Sequence, residues 1–495
     1  MTPAPSVALP PAGHARLLGL CMMLLSGLAS AATCPADISE LIDSYARNRQ
    51  FNGVVLVAND EQVLCRAAYG DANHDWATPN STDARFRIGS LTKPFTATLV
   101  MQLVQEGTLR LDGRLGDLLP DLYGGTPAAA ITIAQLLDHT SALRDVPGNY
   151  NDPWWQGPAR QAYTPEAFAR SWIPGELDGV PGAAFRYNNN GYFLLGLIIE
   201  RATGSSYEDN MRRRILAPAG MRASGLYKAG LPVARLASGH ATRPDGHRVP
   251  AAYLDPSVSW SAAGLYATVD DLYHFAQALR DDRLLDAAAR RRMWTASPSG
   301  YGLGWWIEEW PIHGSGQARV MSHTGSIPGY QSYLLRSDQD GAFVALLDND
   351  WRGELVTGMG RDLMEVLLGK PISLAKKSLA DLLVPVAQTG GAEAMQAAYA
   401  AMGQTRDAYD RSEKAVNALG YRLLRLPQPA AAIVAFQWNV AAHPDSANTH
   451  DSLGEAYRAH GQVAEALASY RRALALDPGH ASAAKAIKEM EAQAR

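Results

Sequence analysis

A serine and a lysine three residues apart, Ser90 and Lys93, are the residues of this chain whose types and spacing best suit chemistry. Residues three apart lie on the same face of a helix, so the lysine amine can reach the serine hydroxyl. That hydroxyl becomes a nucleophile only when a base beside it removes its proton. A buried lysine loses its own proton more easily and can be that base. The pair therefore predicts nucleophilic catalysis; the alternative is a serine that only caps a helix.

The residues around this pair predict the start of a mostly buried helix. Pro94 suits a first helical turn, and Gly107 follows an apolar helical face that begins at Phe95. Residues 86–88 form a strand-like segment just before the helix. Unpaired backbone N–H groups and the positive end of the helix dipole would then lie at Ser90, where they would stabilise a negatively charged oxygen.

Two further motifs complete a pattern: the sequence YNN at 187–189 and the sequence HTG at 323–325. Together with the pair Ser90 and Lys93 they form the ordered set S-x-x-K, Y-x-N and H-T-G. This set resembles the serine β-lactamases and penicillin-binding DD-peptidases, specifically their class C-like branch. The resemblance covers roughly residues 38–370. It implies a β-lactamase/transpeptidase-like fold and hydrolysis through an acyl-enzyme.

The resemblance also implies roles for the catalytic residues. Ser90 is the expected nucleophile and Lys93 the expected base, while Tyr187 is a second proton carrier if nearby cations lower its pKa. The sequence leaves open which of the two is the main base. The backbone N–H groups of Ser90 and Ser326 are expected to form the oxyanion hole.

Substrate-binding roles follow from the same resemblance. Asn189 is expected to hydrogen-bond the amide on the acyl side of the substrate, and His323, Thr324 and Gly325 are expected to face its far end. His323 stands where true class C β-lactamases carry a lysine, as it does in secreted DD-carboxypeptidases and D-amino-acid peptidases. Histidine titrates near pH ~6.5, whereas lysine stays charged, so we expect a weaker, pH-dependent anchor for a substrate carboxylate.

Two other departures from the family pattern concern the backbone. Ala142 and Ala263 stand where the family usually has glycine. These differences concern the local backbone conformation rather than the catalytic chemistry. His139 and Asp138 suggest a Ser-His-Asp triad, but we reject it because they lie in a segment typical of the family and no G-x-S-x-G motif occurs. No H-E-x-x-H or clustered Cys/His spacing occurs either, so we predict no metal and no cofactor.

The elements that must position these residues indicate an α+β fold. Four β-rich runs predict two hairpins, at 53–58 with 62–69 and at 330–336 with 342–348. Helix signals at 38–48 and 353–368 flank them, and the region 93–310 is mostly helical with long loops. We therefore predict an antiparallel sheet covered by terminal helices, beside a helical subdomain. Trp154 and Trp155 lie in a loop-like stretch, where they either line a substrate cleft or only pack the loop.

Composition and the N-terminus indicate a secreted protein. The 495-residue chain has a net charge of −4, which gives no sign of a nucleic-acid partner. Arg16, the apolar run 17–28 and the small residues 29–31 have the pattern of a signal peptide, so we assign 1–32 to it and expect a periplasmic or secreted protein without a transmembrane segment in its mature form. The alternative is a retained N-terminal anchor.

After cleavage, Cys34 and Cys65 are the remaining cysteines. In an oxidising compartment they suggest one disulfide; the alternative is two free thiols, with Cys65 buried in a strand.

The C-terminal part contains an internal repeat. Leu419 and Gly420 recur 34 residues later as Leu453 and Gly454, and this is the tetratricopeptide (TPR) period. We expect a catalytic domain at 33–372, a linker at 373–412 and TPR-like repeats with a capping helix at 413–495. The all-α repeats are predicted to bind a protein partner, to self-associate or to stack on the catalytic domain.

The sequence as a whole predicts a serine hydrolase that acts through an acyl-enzyme on an amide or ester, such as a D-amino-acid peptide, a muropeptide or a β-lactam-like compound. One alternative is a carboxylesterase on the same scaffold. Another is a penicillin-binding or sensing module that is acylated without turnover and uses its repeats for protein contacts.

Overall fold

The computed structural model describes residues 34–147, 152–314, 316–338 and 341–493. The predicted signal peptide at 1–32 lies outside these residues and stays a prediction. Within the described stretches, no helix combines the length and the apolar character that crossing a membrane requires.

An antiparallel sheet of six strands forms the centre of the catalytic region. Its strands are β1 (Gly53–Ala58), β2 (Val63–Tyr69), β3 (Trp306–Pro311), β4 (Gln317–Ile327), β5 (Tyr330–Ser337) and β6 (Phe343–Asp348). Their order across the sheet is β3-β4-β5-β6-β1-β2. Both predicted hairpins, β1 with β2 and β5 with β6, are therefore present, and β1 joins them by pairing with β6.

The two faces of the sheet bury different layers because successive strand residues point to opposite sides. In β1, Val54 and Leu56 belong to the large core shared with the helical region. Val55 and Val57 belong instead to the core beneath the terminal helices. This confirms the predicted α+β architecture, with the sheet between two helical layers.

Eleven long helices can be followed along the described chain. They are α1 (Ala36–Arg47), α2 (Thr92–Gln105), α3 (Asn189–Thr203), α4 (Val269–Arg280), α5 (Glu354–Leu367), α6 (Leu379–Ala401), α7 (Glu413–Arg425), α8 (Pro429–Ala442), α9 (Ala447–Ala459), α10 (Val463–Leu476) and α11 (Ala481–Gln493). Helices α1 and α5 cover one face of the sheet, as predicted. Helices α2 and α3 lie in the core on the other face.

Shorter elements connect these. The short helices are Leu115–Leu118, Pro120–Tyr123, Ile133–Leu137, Pro153–Gln156, Pro165–Trp172, Tyr207–Asn210, Ala217–Ala219, Trp260–Ala263 and Ala287–Met293. The short strands are Asp71–Asn73, Thr78–Pro79, Phe86–Arg87, Gly225–Leu226, His240–Thr242, Arg248–Pro250, Leu265–Ala267, Lys377–Ser378 and Tyr409–Asp410.

The repeats follow the predicted period. Helix α9 begins at 447 and α7 at 413, a difference of 34 residues, and α10 follows α8 by the same interval, 463 against 429. In each repeat a glycine of the first helix packs against an aromatic ring of the second. A Cβ atom at Gly420 would lie 2.4 Å from the ring of Phe436, and one at Gly454 would lie 2.8 Å from the ring of Tyr470.

The stretch 373–412, which the sequence indicated as a linker, is mostly helical. Helix α6 occupies most of it and buries Leu379, Leu383 and Met395 in the core of the repeats. The helix bends at Gly391, whose φ of +70° suits glycine. The linker interpretation is wrong here because apolar side chains at helical spacing outweigh the two adjacent glycines.

The N-terminal end of the described chain is held to the sheet. A disulfide joins Cys34 to Cys65 of β2. The segment that precedes α6 is also fixed, because the side chains of Asn48 and Gln50 donate hydrogen bonds to the carbonyl oxygens of Ala375 and Lys376.

Candidate active site

Ser90 lies in a 3₁₀ turn, Gly89–Leu91, that leads directly into α2. Gly89 has a φ of +54°, and a Cβ atom there would come within 2.8 Å of the backbone nitrogen of Ser326. Glycine is therefore required for this turn to approach β4. The close approach brings Ser326, which is exposed, next to Ser90. The role of their backbone N–H groups as an oxyanion hole stays a prediction.

Lys93 is fully buried one turn further along α2. Its Nζ atom lies 3.0 Å from Ser90 Oγ, 2.8 Å from Asn189 Oδ1 and 3.1 Å from the carbonyl oxygen of Ala262. Burial lowers the pKa of Lys93 to about 7, while the carboxylate of Asp145 acts in the opposite direction. A substantial fraction of Lys93 is therefore neutral at physiological pH.

This hydrogen-bond arrangement directs the lone pair of the neutral amine. The oxygens of Asn189 and Ala262 can only accept hydrogen bonds, so they use both N–H groups of an uncharged Lys93. The third direction, towards Ser90 Oγ, is left for the lone pair. The geometry suits removal of the serine proton by Lys93.

Tyr187 completes the group of side chains around Ser90. Its hydroxyl hydrogen-bonds with Ser90, and its ring centre lies 4.8 Å from Lys93 Nζ. Although 38% of the side chain is exposed, burial around the hydroxyl raises the pKa of Tyr187 above its ordinary value. The condition that nearby cations lower the pKa of Tyr187 is not met: burial raises it, the carboxylate of Asp145 adds to this, and only the hydrogen bond with Ser90 acts in the opposite direction. Tyr187 stays protonated near neutral pH, which favours Lys93 as the base.

Asn189 is oriented by Asp145, a residue that the sequence analysis missed. One oxygen of Asp145 accepts the backbone N–H of Asn189 at 2.8 Å and lies 3.4 Å from the Nδ2 atom of the same residue. The other oxygen accepts the N–H groups of Val146 and Asn190. The amide of Asn189 therefore turns its oxygen towards Lys93. An isolated aspartate in a loop has no recognisable spacing, and only the fold brings it to the start of α3.

His323 is buried and neutral, which corrects the expectation of a titrating cation. Its Nδ1 atom lies 2.6 Å from the carbonyl oxygen of Thr324, so Nδ1 carries the proton, and Nε2 accepts from the hydroxyl of Tyr301 at 3.0 Å. Burial, with Lys93 adding to it, lowers the pKa of His323 to about 3. The prediction that this residue provides a positive charge near neutral pH is wrong, because the side chain is only 1% exposed.

The other two residues of the HTG motif, Thr324 and Gly325, lie on β4 beside the turn that carries Ser90. Thr324 is partly exposed. A Cβ atom at Gly325 would lie 1.8 Å from the carbonyl oxygen of Ile88, so only glycine lets the strand pack against the turn that carries Ser90. The glycine of this motif therefore sets the distance between β4 and the turn that carries Ser90.

His139 and Asp138 do not form a triad. His139 is fully buried, and its Nδ1 atom accepts the backbone N–H of Asn188 at 3.0 Å. Its ring centre lies 4.3 Å from that of Tyr187. Asp138 accepts instead from the hydroxyl of Thr140. His139 therefore supports the start of α3 and the ring of Tyr187.

In the described part of the chain, His74, His240 and Asp350 have the composition of a metal site, with ligand atoms within 4.8 Å of one another. Arg248 and Arg352 both form ion pairs with Asp350. Two guanidinium groups on one carboxylate oppose the approach of a divalent cation. We therefore assign this cluster to ion pairing, and the sequence-based expectation of no metal and no cofactor stays a prediction.

Comparison with known proteins agrees with this geometry. The β-lactamase family profile matches residues 38–368. The chain belongs to the β-lactamase family. It is a serine hydrolase of this family, as the sequence predicted. A tetratricopeptide repeat profile matches residues 447–480, which contain α9 and α10.

Individual members of the β-lactamase family resemble the catalytic region. Penicillin-binding protein 4 of Amycolatopsis lactamdurans is 30% identical over 375 residues, covering 71% of this chain and 93% of the relative. Esterase EstB of Burkholderia gladioli is 28% identical over 315 residues, covering 56% of this chain and 80% of the esterase. The crystal structure of a penicillin-binding protein from Bacillus halodurans superposes with a TM-score of 0.59 at 26% identity, covering 66% of this chain and 99% of that one.

Proposed function

We propose that this protein is a secreted serine hydrolase in which Ser90 forms an acyl-enzyme with an amide or ester substrate. The observation that carries the proposal is the set of hydrogen bonds at Lys93. Two acceptors that cannot donate, Asn189 and Ala262, leave the lone pair of the neutral amine directed at Ser90 Oγ. A pKa of about 7 makes this neutral form available.

In the first half-reaction, Ser90 Oγ attacks the carbonyl carbon and Lys93 takes the hydroxyl proton. The backbone N–H groups of Ser90 and Ser326 stabilise the oxyanion. As the tetrahedral intermediate collapses, Tyr187 gives its proton to the leaving nitrogen or oxygen and recovers one from Lys93. The bond to the leaving group breaks, and the acyl group stays on Ser90.

In the second half-reaction, a water molecule attacks the acyl carbonyl. Its proton passes to Lys93, either directly or through Tyr187, and the serine oxygen leaves as Ser90 regains its proton. The oxygen of Asn189 accepts a hydrogen bond from Lys93. We assign to its amide N–H group the role of hydrogen-bonding the acyl side of the substrate.

Secretion is part of the proposal. The signal-peptide pattern at 1–32 predicts export, and a disulfide between Cys34 and Cys65 suits an oxidising compartment. For the repeats we propose either a protein partner or docking on the catalytic domain. The second role is supported by two contacts across the boundary, Arg422 with the carbonyl oxygen of Pro244 and Lys414 with Glu354.

Intact-mass spectrometry tests the chemistry. The purified protein is mixed briefly with a D-alanyl-D-alanine peptide, a muropeptide, a β-lactam and an aryl ester, and the added mass is located by peptide mapping. We expect an acyl adduct on Ser90 in the wild type and none in Ser90→Ala, whose turnover should fall about a thousandfold or more. Ser299→Ala, which changes an exposed serine, is the matched control. Normal labelling of Ser90→Ala would contradict the assignment.

A further inference from the structure

The cleft that opens at Ser90 is small and has apolar walls. Val146, Phe193 and Val258 line it, and its volume is about 120 Å³. Asn189, the residue predicted to hydrogen-bond the acyl side of the substrate, also lines this cleft, which we therefore call the acyl pocket. For comparison, a buried apolar cavity of about 150 Å³ holds one benzene molecule. The acyl pocket therefore takes an apolar group no larger than about a phenyl ring.

Two polar side chains in the acyl pocket, beside those of the proposed catalytic group, are hydrogen-bonded to the backbone. Asn190 donates to the carbonyl oxygen of Arg144, and Ser259 donates to that of Pro256. Since these side chains are engaged, the shape of the apolar walls determines which acyl groups fit.

A second and larger cavity, of about 500 Å³, adjoins the acyl pocket. Pro147, Trp172 and Ile173 line the second cavity, whereas Val146 and Trp154 line both spaces. Because these two residues are shared, the two spaces lie directly beside each other. The second cavity has about four times the volume of the acyl pocket, so it offers room for a long hydrocarbon chain.

Charged side chains that line the second cavity have partners of their own. Arg144 forms an ion pair with Glu176, and both side chains are more than half exposed. Asp145 accepts backbone N–H groups at the start of α3, and Asp152 accepts the backbone N–H of Trp154. A hydrocarbon chain in this cavity would therefore contact its apolar walls without leaving one of these charges unpaired.

Trp154 lies between the two cavities with a side chain that is only 6% exposed. Its ring packs nearly perpendicular to those of Trp155 and Trp172, with ring centres 4.8 Å and 6.0 Å away. Among the residues that the structure describes, its indole nitrogen has no hydrogen-bond partner. Packing therefore holds the ring, and replacing it would leave no hydrogen-bonding group of a described neighbour unpaired.

We propose that Trp154 is a specificity-determining residue that ends the acyl pocket, so that the enzyme takes esters and amides with a compact apolar acyl group. This inference rests on the proposed function and defines the acyl part of its substrate class. Inside the pocket, each methylene removed from water should raise kcat/KM about fourfold. Beyond the pocket, a longer chain must stay in water or displace the indole of Trp154, so further methylenes gain nothing.

A series of para-nitrophenyl esters tests the inference with the wild-type protein. The acyl groups are acetyl, butyryl, hexanoyl and octanoyl, each used below its micelle concentration. Each kcat/KM is divided by the rate constant for hydroxide-catalysed hydrolysis of the same ester, which removes differences in intrinsic reactivity. We expect a rise of about tenfold from acetate to butyrate and no rise from hexanoate to octanoate. A continued rise through octanoate would overturn the inference.

Variants test the role of Trp154 itself. Trp154→Ala joins the acyl pocket to the second cavity, so the ratio of kcat/KM for octanoate to that for hexanoate should rise about tenfold over the wild-type ratio. Trp172→Ala is the matched control, because it removes a neighbouring indole from the second cavity and leaves Trp154 in place. It should keep the wild-type ratio. Trp154→Leu, which retains an apolar side chain, should give a smaller rise and replaces the alanine variant if that one does not fold.

Thermal melts followed by circular dichroism establish which variants are folded, and the wild-type series decides alone if neither Trp154 variant is. Folded Trp154 variants with the wild-type ratio, or an equal rise in Trp172→Ala, would overturn this inference. Normal acylation of Ser90 in the same proteins would leave the proposed function standing. Absence of Ser90 acylation by every ester would overturn both.

Discussion

The Oδ1 atom of Asn189 lies 2.8 Å from the Nζ atom of Lys93, closer than the hydroxyl of Ser90 at 3.0 Å. Asn189 is thus a partner of the proposed base as well as the residue predicted to hydrogen-bond the substrate. The protonation state of Lys93 and the orientation of its amine group therefore depend on residues outside the serine–lysine motif.

The first prediction concerns the pH dependence of catalysis. Because neutral Lys93 is the proposed base and its pKa is about 7, kcat/KM should rise with pH through about 7 and then level off. Lys93→Met, which keeps the chain length but has no amine, should lower kcat/KM by about a thousandfold. Steady-state kinetics with a neutral ester between pH 5 and 9, a range chosen to span that pKa, measures both effects. A flat profile in the wild type would argue against this base.

The second prediction concerns Asp145. Replacing it with asparagine removes a negative charge that favours protonated Lys93, so the rising limb of kcat/KM should move to lower pH. The plateau should also fall, by about tenfold to a hundredfold, because the amide of Asn189 loses its fixed direction.

Asp138→Asn provides the control for this prediction. Asp138 also lies in the segment before α3, but its carboxylate accepts from the backbone N–H and the hydroxyl of Thr140 rather than from Asn189. Its replacement should leave the position of the rising limb unchanged. If both variants lose activity and the pH at which kcat/KM rises stays the same, Asp145 has only a structural role.

The third prediction concerns His323→Lys. The side chain is 1% exposed and bonded to Tyr301, so a lysine here would bury an ammonium group. We expect Tm to fall by about 5 °C or more, because burying an unpaired charge costs several kcal/mol. The Tm of His323→Gln, in which the new side chain is neutral, should fall less. Thermal melts followed by circular dichroism measure this, and a lysine variant as stable as the wild type would show that the site can hold a cation.

The fourth prediction concerns independence of the repeats. A protein truncated after residue 376 should still melt cooperatively and acylate Ser90. Among the residues that the structure describes, the catalytic cores contain none beyond 375, and the repeat core begins at Leu379. Truncation removes the hydrogen bond from Arg422 to Pro244 and the exposed ion pair of Lys414 with Glu354, and each of these stabilises the protein only slightly. Calorimetry and intact-mass labelling test this. Loss of the cooperative transition would mean that the repeats complete the catalytic core.

Local patterns in the sequence were sufficient to predict the fold class and to propose Ser90 and Lys93 as the catalytic pair. The spacing of Ser90 and Lys93 places them one helical turn apart whatever the rest of the fold does, because helix geometry is local. The hairpins β1–β2 and β5–β6 and the repeat period are local or periodic in the same sense, and the structure contains them where they were predicted.

Protonation states and long-range partners were decided by the tertiary structure alone. His323 and Tyr187 carry no sign in the sequence that burial will lower the pKa of one and raise that of the other. Asp145 reaches Asn189 across 44 residues of chain, and the apolar side chains of 379–401 turn an expected linker into a packed helix. The physical reason is that desolvation and distant contacts depend on the whole fold, whereas the sequence by itself determines residue types and their local spacing.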